Sequence, residues 1–206
     1  MKVLVYGGAE EVERIATFLE DEMPFEVKRM IMSGCTLEMS MAEILRKTED
    51  DLYDSIGRNE VIILADFLTT MATKLALTKK YPNQKFVGYG QGILRTVKKL
   101  KKVCVLTTQK IRRLELYQRM KAVCQETKII EMGSTGWQEM MRKRNVEKIE
   151  LRRKLESAQG APILVFHPDL SLARIKELVD WRNEVIDVER ELLADVKAAL
   201  GVKNWT

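Results

Sequence analysis

Short apolar, β-branched runs alternate along this chain with longer segments of helical periodicity, and that alternation limits the folds open to it. The strand candidates are Lys2–Tyr6, Phe25–Ile31, Glu60–Ala65, Lys85–Gly88, Lys102–Thr107, Lys128–Glu131, Pro162–Phe166 and Glu184–Asp187. The helix candidates are Glu10–Glu22, Ser40–Ile56, Thr69–Tyr81, Gln91–Leu100, Gln109–Gln125, Trp137–Ser157 (broken near Asn145), Leu170–Arg182 and Val188–Leu200. A strand, a crossover helix and another strand form the unit of a parallel sheet with helices over both faces. The strand cores VIILA, VCVLT and PILVF are continuously apolar, as strands buried on both faces require. The expected fold class is α/β. It consists of two similar lobes, each a roughly four-stranded, mainly parallel sheet flanked by helices, with a cleft between them.

The crossover between lobes is expected at Val87-Gly-Tyr-Gly-Gln-Gly92, where glycine tolerates backbone angles that other residues resist. This gives a first lobe of residues 1–88 plus 184–206 and a second of 89–183. The glycine spacing is not that of a dinucleotide site, and no phosphate-loop lysine motif is present.

Hydrophobic residues make up 46% of the 206-residue chain and charged residues 32%, which suits a packed, soluble protein. The opening MKVLVYGG reads as a first strand rather than a cleavable leader, and no apolar run could span a bilayer. A cytoplasmic location without membrane contact is expected. The net charge is +5, but Lys79-Lys80, Lys98-Lys99, Lys101-Lys102, Arg112-Arg113, Arg142-Lys143-Arg144 and Arg152-Arg153-Lys154 are spread over several helices. Acidic residues fall between most of them, and aromatics are only 6% of the chain. A nucleic-acid surface gathers basic charge on one face with interleaved aromatics, so nucleic acid is not an expected partner. The three cysteines are too scattered for a disulfide framework, and one histidine cannot build an imidazole metal site. The eleven methionines recur at core spacings and read as packing residues.

In open α/β sheets ligands sit beyond the carboxyl ends of the strands. That rule nominates Gly7-Gly8, Gly34-Cys35-Thr36, Asp66, Gly88–Gly92, Thr107-Thr108, Gly133–Gly136 and His167-Pro168-Asp169. Backbone amides and hydroxyls of this kind suit a small polar ligand at helix N-termini. Thr69, Thr70, Thr107 and Thr108 can hold a carboxylate, or simply cap helices, and the two readings are compatible. Asp66 reads first as a helix N-cap, with a ligand contact as an addition. Cys104 lies within an apolar strand and Cys124 near a helix end, so both read as core residues. Cys35 follows a strand and is the better placed thiol.

The stretch VIILADFLTTMATKLALTKKYPNQKFVGYGQG, Val61–Gly92, resembles the central part of glutamate racemase, a member of the aspartate/glutamate racemase superfamily. KKVCVLTTQKIRRLELYQRMKA is similar to the following strand, Thr-containing turn and helix of that family. TLEMSMAEILRK resembles its Ser-x-x-Glu-Ile helix start, and NEVIDVERELLADVKAAL its closing strand and helix. The resemblance covers nearly the whole chain, which is shorter than a typical member. It implies a cofactor-independent amino-acid racemase fold, a small carboxylate or amino acid as ligand, and a homodimer.

The family's catalytic pattern is absent. It uses two cysteines on opposite faces of the substrate α-carbon, because inversion needs proton removal and delivery from opposite sides. The first cysteine position is Asp66 here, followed by Phe67 and Leu68 in place of Asn and Thr. The second motif is reduced to Val165-Phe166-His167-Pro168, and the Asp-Ser pair after the first strand is Gly7-Gly8. The resemblance therefore points to a shortened member without racemase activity, in an accessory or regulatory role, binding a small acid or a protein partner. The alternative is an active isomerase or racemase with altered acid/base residues drawn from Asp66, His167 (assisted by Asp169) or Cys35. The ligand-binding candidates are Gly7, Gly8, Asp66, Thr69, Thr70, Thr107, Thr108 and His167, with no metal and no cofactor expected.

Overall fold

The computed structural model describes residues 2–22, 26–32, 39–107, 112–113, 115–132, 160–166 and 184–201. The chain divides into two compact units, Met1–Gln91 with Glu191–Thr206, and Gly92–Arg190.

In the first unit, β1 (Lys2–Gly7), α1 (Ala9–Glu22), β2 (Glu26–Ile31), α2 (Met41–Leu52), β3 (Val61–Leu64), α3 (Phe67–Lys80) and β4 (Lys85–Gly88) follow one another. The strands form one parallel sheet in the order β2-β1-β3-β4. Its register sets Tyr6 beside Leu64, and Leu64 beside Gly88. Side chains alternate across a strand. Leu4, Tyr6, Ile62, Leu64 and Phe86 accordingly share one face, where they cluster with Leu52 of α2 and Leu77 of α3. Val3, Val5 and Ile63 alternate to the opposite face and are equally buried. Burying each such side chain contributes about 1.5–3 kcal/mol. The buried Tyr6 hydroxyl donates to Asp51 Oδ2 at 2.8 Å, so its polar end is satisfied and its ionisation strongly disfavoured.

Local sequence sets the helix ends. Ser40 and Glu43 form a reciprocal capping box: the Glu43 N–H donates to Ser40 Oγ at 3.2 Å, and the Ser40 N–H to Glu43 Oε2 at 2.7 Å. The helix expected over Ser40–Ile56 stops at Leu52 and gives way to turns. There the Gln84 side chain accepts from the Gly57 N–H at 2.8 Å, and Asn59 donates to the Ser55 carbonyl. α3 begins at Phe67, two residues before the expected Thr69, because Asp66 supplies its N-cap.

The second unit contains β5 (Lys102–Thr107), α5 (Glu115–Val123), β6 (Lys128–Met132) and β7 (Ile163–Phe166), with the parallel strand order β6-β5-β7. α4 (Gln91–Lys98) leads into it, and α6 (Val188–Ala199) carries the chain back into the first unit. Among the described residues this sheet has three strands, in keeping with the roughly four-stranded, mainly parallel lobes expected. The strand expected over Glu184–Asp187 is a single parallel bridge, Ile163 to Val185. It is held by the Ile163 N–H on the Glu184 carbonyl and the Ile186 N–H on the Ile163 carbonyl, at 2.7 and 2.8 Å. The helices expected over Trp137–Ser157 and Leu170–Arg182 lie outside the described residues.

Several of the basic residues are paired. Arg29 bonds Glu13 and Glu20, Lys80 bonds Glu49, and Arg112 and Lys121 both reach Glu131. No described helix is long and apolar enough to cross a membrane.

Candidate functional site

The carboxyl ends of β1 and β3 are neighbours in the first sheet, and each runs directly into a helix. At the end of β1 the Gly7 carbonyl accepts from the Met32 N–H at 2.8 Å. The Gly8 carbonyl accepts from the Val12 N–H at 2.9 Å and starts α1. At the end of β3 the Ala65 N–H donates to the Tyr6 carbonyl at 2.8 Å, and Asp66 then turns out of the sheet in an extended conformation. Five of the sequence candidates, Gly7, Gly8, Asp66, Thr69 and Thr70, thus meet at one end of one sheet.

Asp66 is the centre of this arrangement. Its Oδ1 accepts the Thr69 N–H at 2.7 Å, which satisfies one of the open amides at the start of α3. Its Oδ2 is buried and meets no donor among the described residues. A β-carbon on Gly7 would stand 2.9 Å from that oxygen, so the carboxylate fills the space left by the missing side chain. Burial raises the Asp66 pKa above the ordinary carboxylate value. Hydrogen bonds from Thr69 oppose the shift, the charge of Glu11 adds to it, and the Leu68 amide again opposes it.

Glu11 was not among the residues nominated by sequence. It lies in the first turn of α1, and a β-carbon on Gly8 would stand 2.6 Å from its Oε2. The available signal was a glutamate three residues after the glycine that starts a helix, the spacing of a capping box.

The threonines are turned into the protein. Thr70 donates its hydroxyl to the Leu64 carbonyl at 3.1 Å. It packs so tightly that a β-carbon on Gly88 would stand 2.7 Å from its Oγ1. The Thr69 hydroxyl is fully buried and faces Met32 Sδ at 3.9 Å. Both residues fix the first turn of α3, and the Thr70 proton is already committed to backbone. Lys74, one turn further on and also missed, donates to the Gly88 carbonyl at 3.1 Å. Burial lowers its pKa, and the charge of Asp195 partly restores it.

Thr107 ends β5 in the second unit and is buried. Cys35, Thr108, His167 and Asp169 lie outside the described residues. Cys104 is buried in β5 against Met132 Sδ at 3.0 Å, and burial pushes its thiol up to about 12, far from a working nucleophile. Cys124 is buried and its pKa raised in the same way, with Lys98 opposing the shift. Among the described residues no group of three His, Cys, Asp or Glu is placed to hold a metal ion.

No family model matches the sequence, and no curated protein is similar to it. Solved structures do match. Glutamate racemase from Aquifex pyrophilus superimposes with a TM-score of 0.73 at 15% identity, covering 98% of this chain and 84% of that one. The Francisella tularensis glutamate racemase bound to D-glutamate gives 0.75 at 13% identity, covering 100% and 84%. A mutant arylmalonate decarboxylase gives 0.55 at 16% identity, covering 99% and 95%. At these identities the likeness establishes architecture: two parallel α/β sheets flanked by helices, arranged along the chain as in the glutamate racemases.

Proposed function

We propose that this protein binds a small carboxylate or amino acid on the racemase scaffold, in an accessory or regulatory role, and does not interconvert the enantiomers of glutamate. The observation that carries this reading is Asp66. At the carboxyl end of β3 the Asp66 carboxylate has one oxygen that meets no donor among the described residues, a group suited to completing a hydrogen bond. The bound D-glutamate of the Francisella neighbour supports a small amino acid as the ligand class.

The raised pKa of Asp66 favours a second reading. A carboxylate that holds its proton more tightly than usual is also a stronger base, so an altered isomerase would start from Asp66. Incubation with L- and D-glutamate and aspartate in heavy water separates the two. The binding reading expects no solvent deuterium at the α-carbon. Deuterium incorporation that disappears in Asp66→Asn would replace it with the enzymatic one. A thermal-shift series with the same acids then tests binding itself, and a lack of any shift counts against the proposal.

A further inference from the structure

We infer that the amino ends of β5 and β6 form a lysine-lined docking surface for an acidic, leucine-containing segment of a partner protein. The surface belongs to the second unit and does not depend on what Asp66 binds.

Excess positive charge is confined to that unit. Residues 92–190 carry 22 lysines and arginines against 13 aspartates and glutamates, whereas the rest of the chain carries 13 against 17. In sequence, Lys98-Lys99, Lys101-Lys102, Lys121 and Lys128 belong to separate elements, and the fold brings them to one end of one sheet. α4 ends at Lys98 and is followed by Lys99, whose N–H donates to the Thr96 carbonyl at 3.1 Å. The chain then enters β5 through Lys101 and Lys102. Lys102 stands beside Lys128 in the register of β5 and β6, and the Lys128 N–H donates to the Lys101 carbonyl at 2.9 Å. The turn from α5 into β6 is tied to the end of α4 by the Thr127 hydroxyl, which donates to the Val97 carbonyl at 3.0 Å. The charge of Lys98 accordingly reaches Cys124, the residue after α5.

Lys121, in the last turn of α5, is held by Glu131 at 2.9 Å. Lys98, Lys99, Lys101 and Lys128 are exposed and make no ion pair among the described residues. The acids that the described elements bring to this end of the sheet are Glu126, before β6, and Glu184, beside the start of β7. The helix dipole accounts for a lysine in the last turn of α4 or α5. It does not account for Lys101 and Lys128, which lie outside both helices. Four unpaired ammonium groups on one rigid sheet end form a positive field that selects an anion.

The kind of anion follows from what accompanies them. Every basic residue here is lysine, a hydrated point charge without the planar fork by which arginine grips phosphate. The one aromatic residue of α5, Tyr117, is buried, so α4, α5, β5 and β6 offer no ring on which the bases of a single strand could stack. Val123, the last residue of α5, is instead 45% exposed and supplies an apolar spot at the edge of the lysines. Protein interfaces combine an apolar centre with a polar rim, and carboxylates flanking an apolar side chain match that pattern. A single valine offers little to insert into a lipid surface.

The test is fluorescence anisotropy of the full chain with a labelled peptide of glutamates flanking two leucines. Its glutamine counterpart, a labelled random-sequence DNA duplex and sedimentation with phosphatidylserine vesicles are the comparisons. The glutamate peptide should bind at least about tenfold more tightly than the glutamine peptide, and its affinity should fall as salt is raised. Lys101→Glu and Lys128→Glu each reverse an exposed, unpaired charge and should each weaken the peptide about tenfold, with folding checked by thermal melts. Lys79→Glu makes the same change in net charge on α3 of the first unit and should leave affinity within about twofold. Val123→Ser should weaken binding roughly threefold without altering its salt dependence. Equal losses in Lys79→Glu and Lys101→Glu would reduce the effect to net charge and overturn the surface. Tighter binding of the duplex or the vesicles than of the peptide would reassign it to nucleic acid or lipid. Absence of glutamate-peptide binding would also overturn it, and would leave the small-acid reading of the first unit standing.

Discussion

Gly7 and Asp66 share one space: a β-carbon on Gly7 would lie 2.9 Å from Asp66 Oδ2 and 3.0 Å from its backbone nitrogen. In sequence they read as two separate departures from the glutamate racemase pattern, an Asp-Ser pair gone from one strand end and a cysteine gone from another. In space they are coupled, because the Asp66 carboxylate lies where a β-carbon on Gly7 would stand. The acidic end of the first sheet is therefore a packed arrangement, with Glu11 folded against Gly8 in the same manner.

Gly7→Ala should be destabilising by roughly 1–3 kcal/mol, the usual range for forcing a methyl group into filled space. Part of the clash is with the Asp66 side chain and part with backbone. The double variant Gly7→Ala, Asp66→Ala should therefore lose less than the two single losses added together. Urea denaturation of the four proteins measures the coupling. Additive losses would mean that the two residues do not share their space.

The raised pKa of Asp66 sets the sign of a pH effect. Its proton binds more tightly in the folded chain than in the unfolded one. The associated stability is complete below the unfolded pKa and is lost as pH rises through the folded value. Asp66→Asn has no such titration. Its stability relative to the parent should increase from acid to neutral pH and level off above the folded pKa, followed by chemical denaturation at several pH values. A relative stability that does not change with pH would show that Asp66 titrates normally.

Much of this arrangement is legible in the sequence. Strand positions followed from apolar runs such as VIIL and KFVG, which local composition nearly determines. Asp66 as an N-cap followed from a carboxylate placed between a strand and a helix. The Ser-x-x-Glu stretch resembled a family motif, and in the fold it is the Ser40–Glu43 capping box, a signal that any helix start can carry. What sequence could not supply was proximity across strands. Glu11 carries no mark of proximity in the sequence, and its placement against Gly8 comes only from the fold. Thr70 looked free to bind ligand, but its hydroxyl is turned to the Leu64 carbonyl by packing against Gly88. The strand expected at Glu184–Asp187 shrank to one bridge, because nothing in four residues tells a ladder from a single contact.

The capping box predicts a local loss. Ser40→Ala removes the acceptor for the Glu43 amide and should cost about 1 kcal/mol. The effect belongs to α2, so ligand titrations should be unchanged. A thermal melt checks the first point and calorimetry the second.

Thiol chemistry gives a test of the second unit. Cys104 lies wholly inside β5 with its thiol pushed up to about 12, and Cys124 is buried at the end of α5. At pH 8 neither should react with a disulfide reagent at the rate of an ordinary exposed thiol, because thiolate fraction and access are both reduced. In a Cys35→Ser variant, labelling of the native protein should be slow and limited by opening of the structure, while both thiols should react at once in denaturant. Rapid modification of Cys104 in the folded variant would mean that β5 is not the closed core strand described above. It would also reopen the second unit as a source of the nucleophile that the end of β3 lacks.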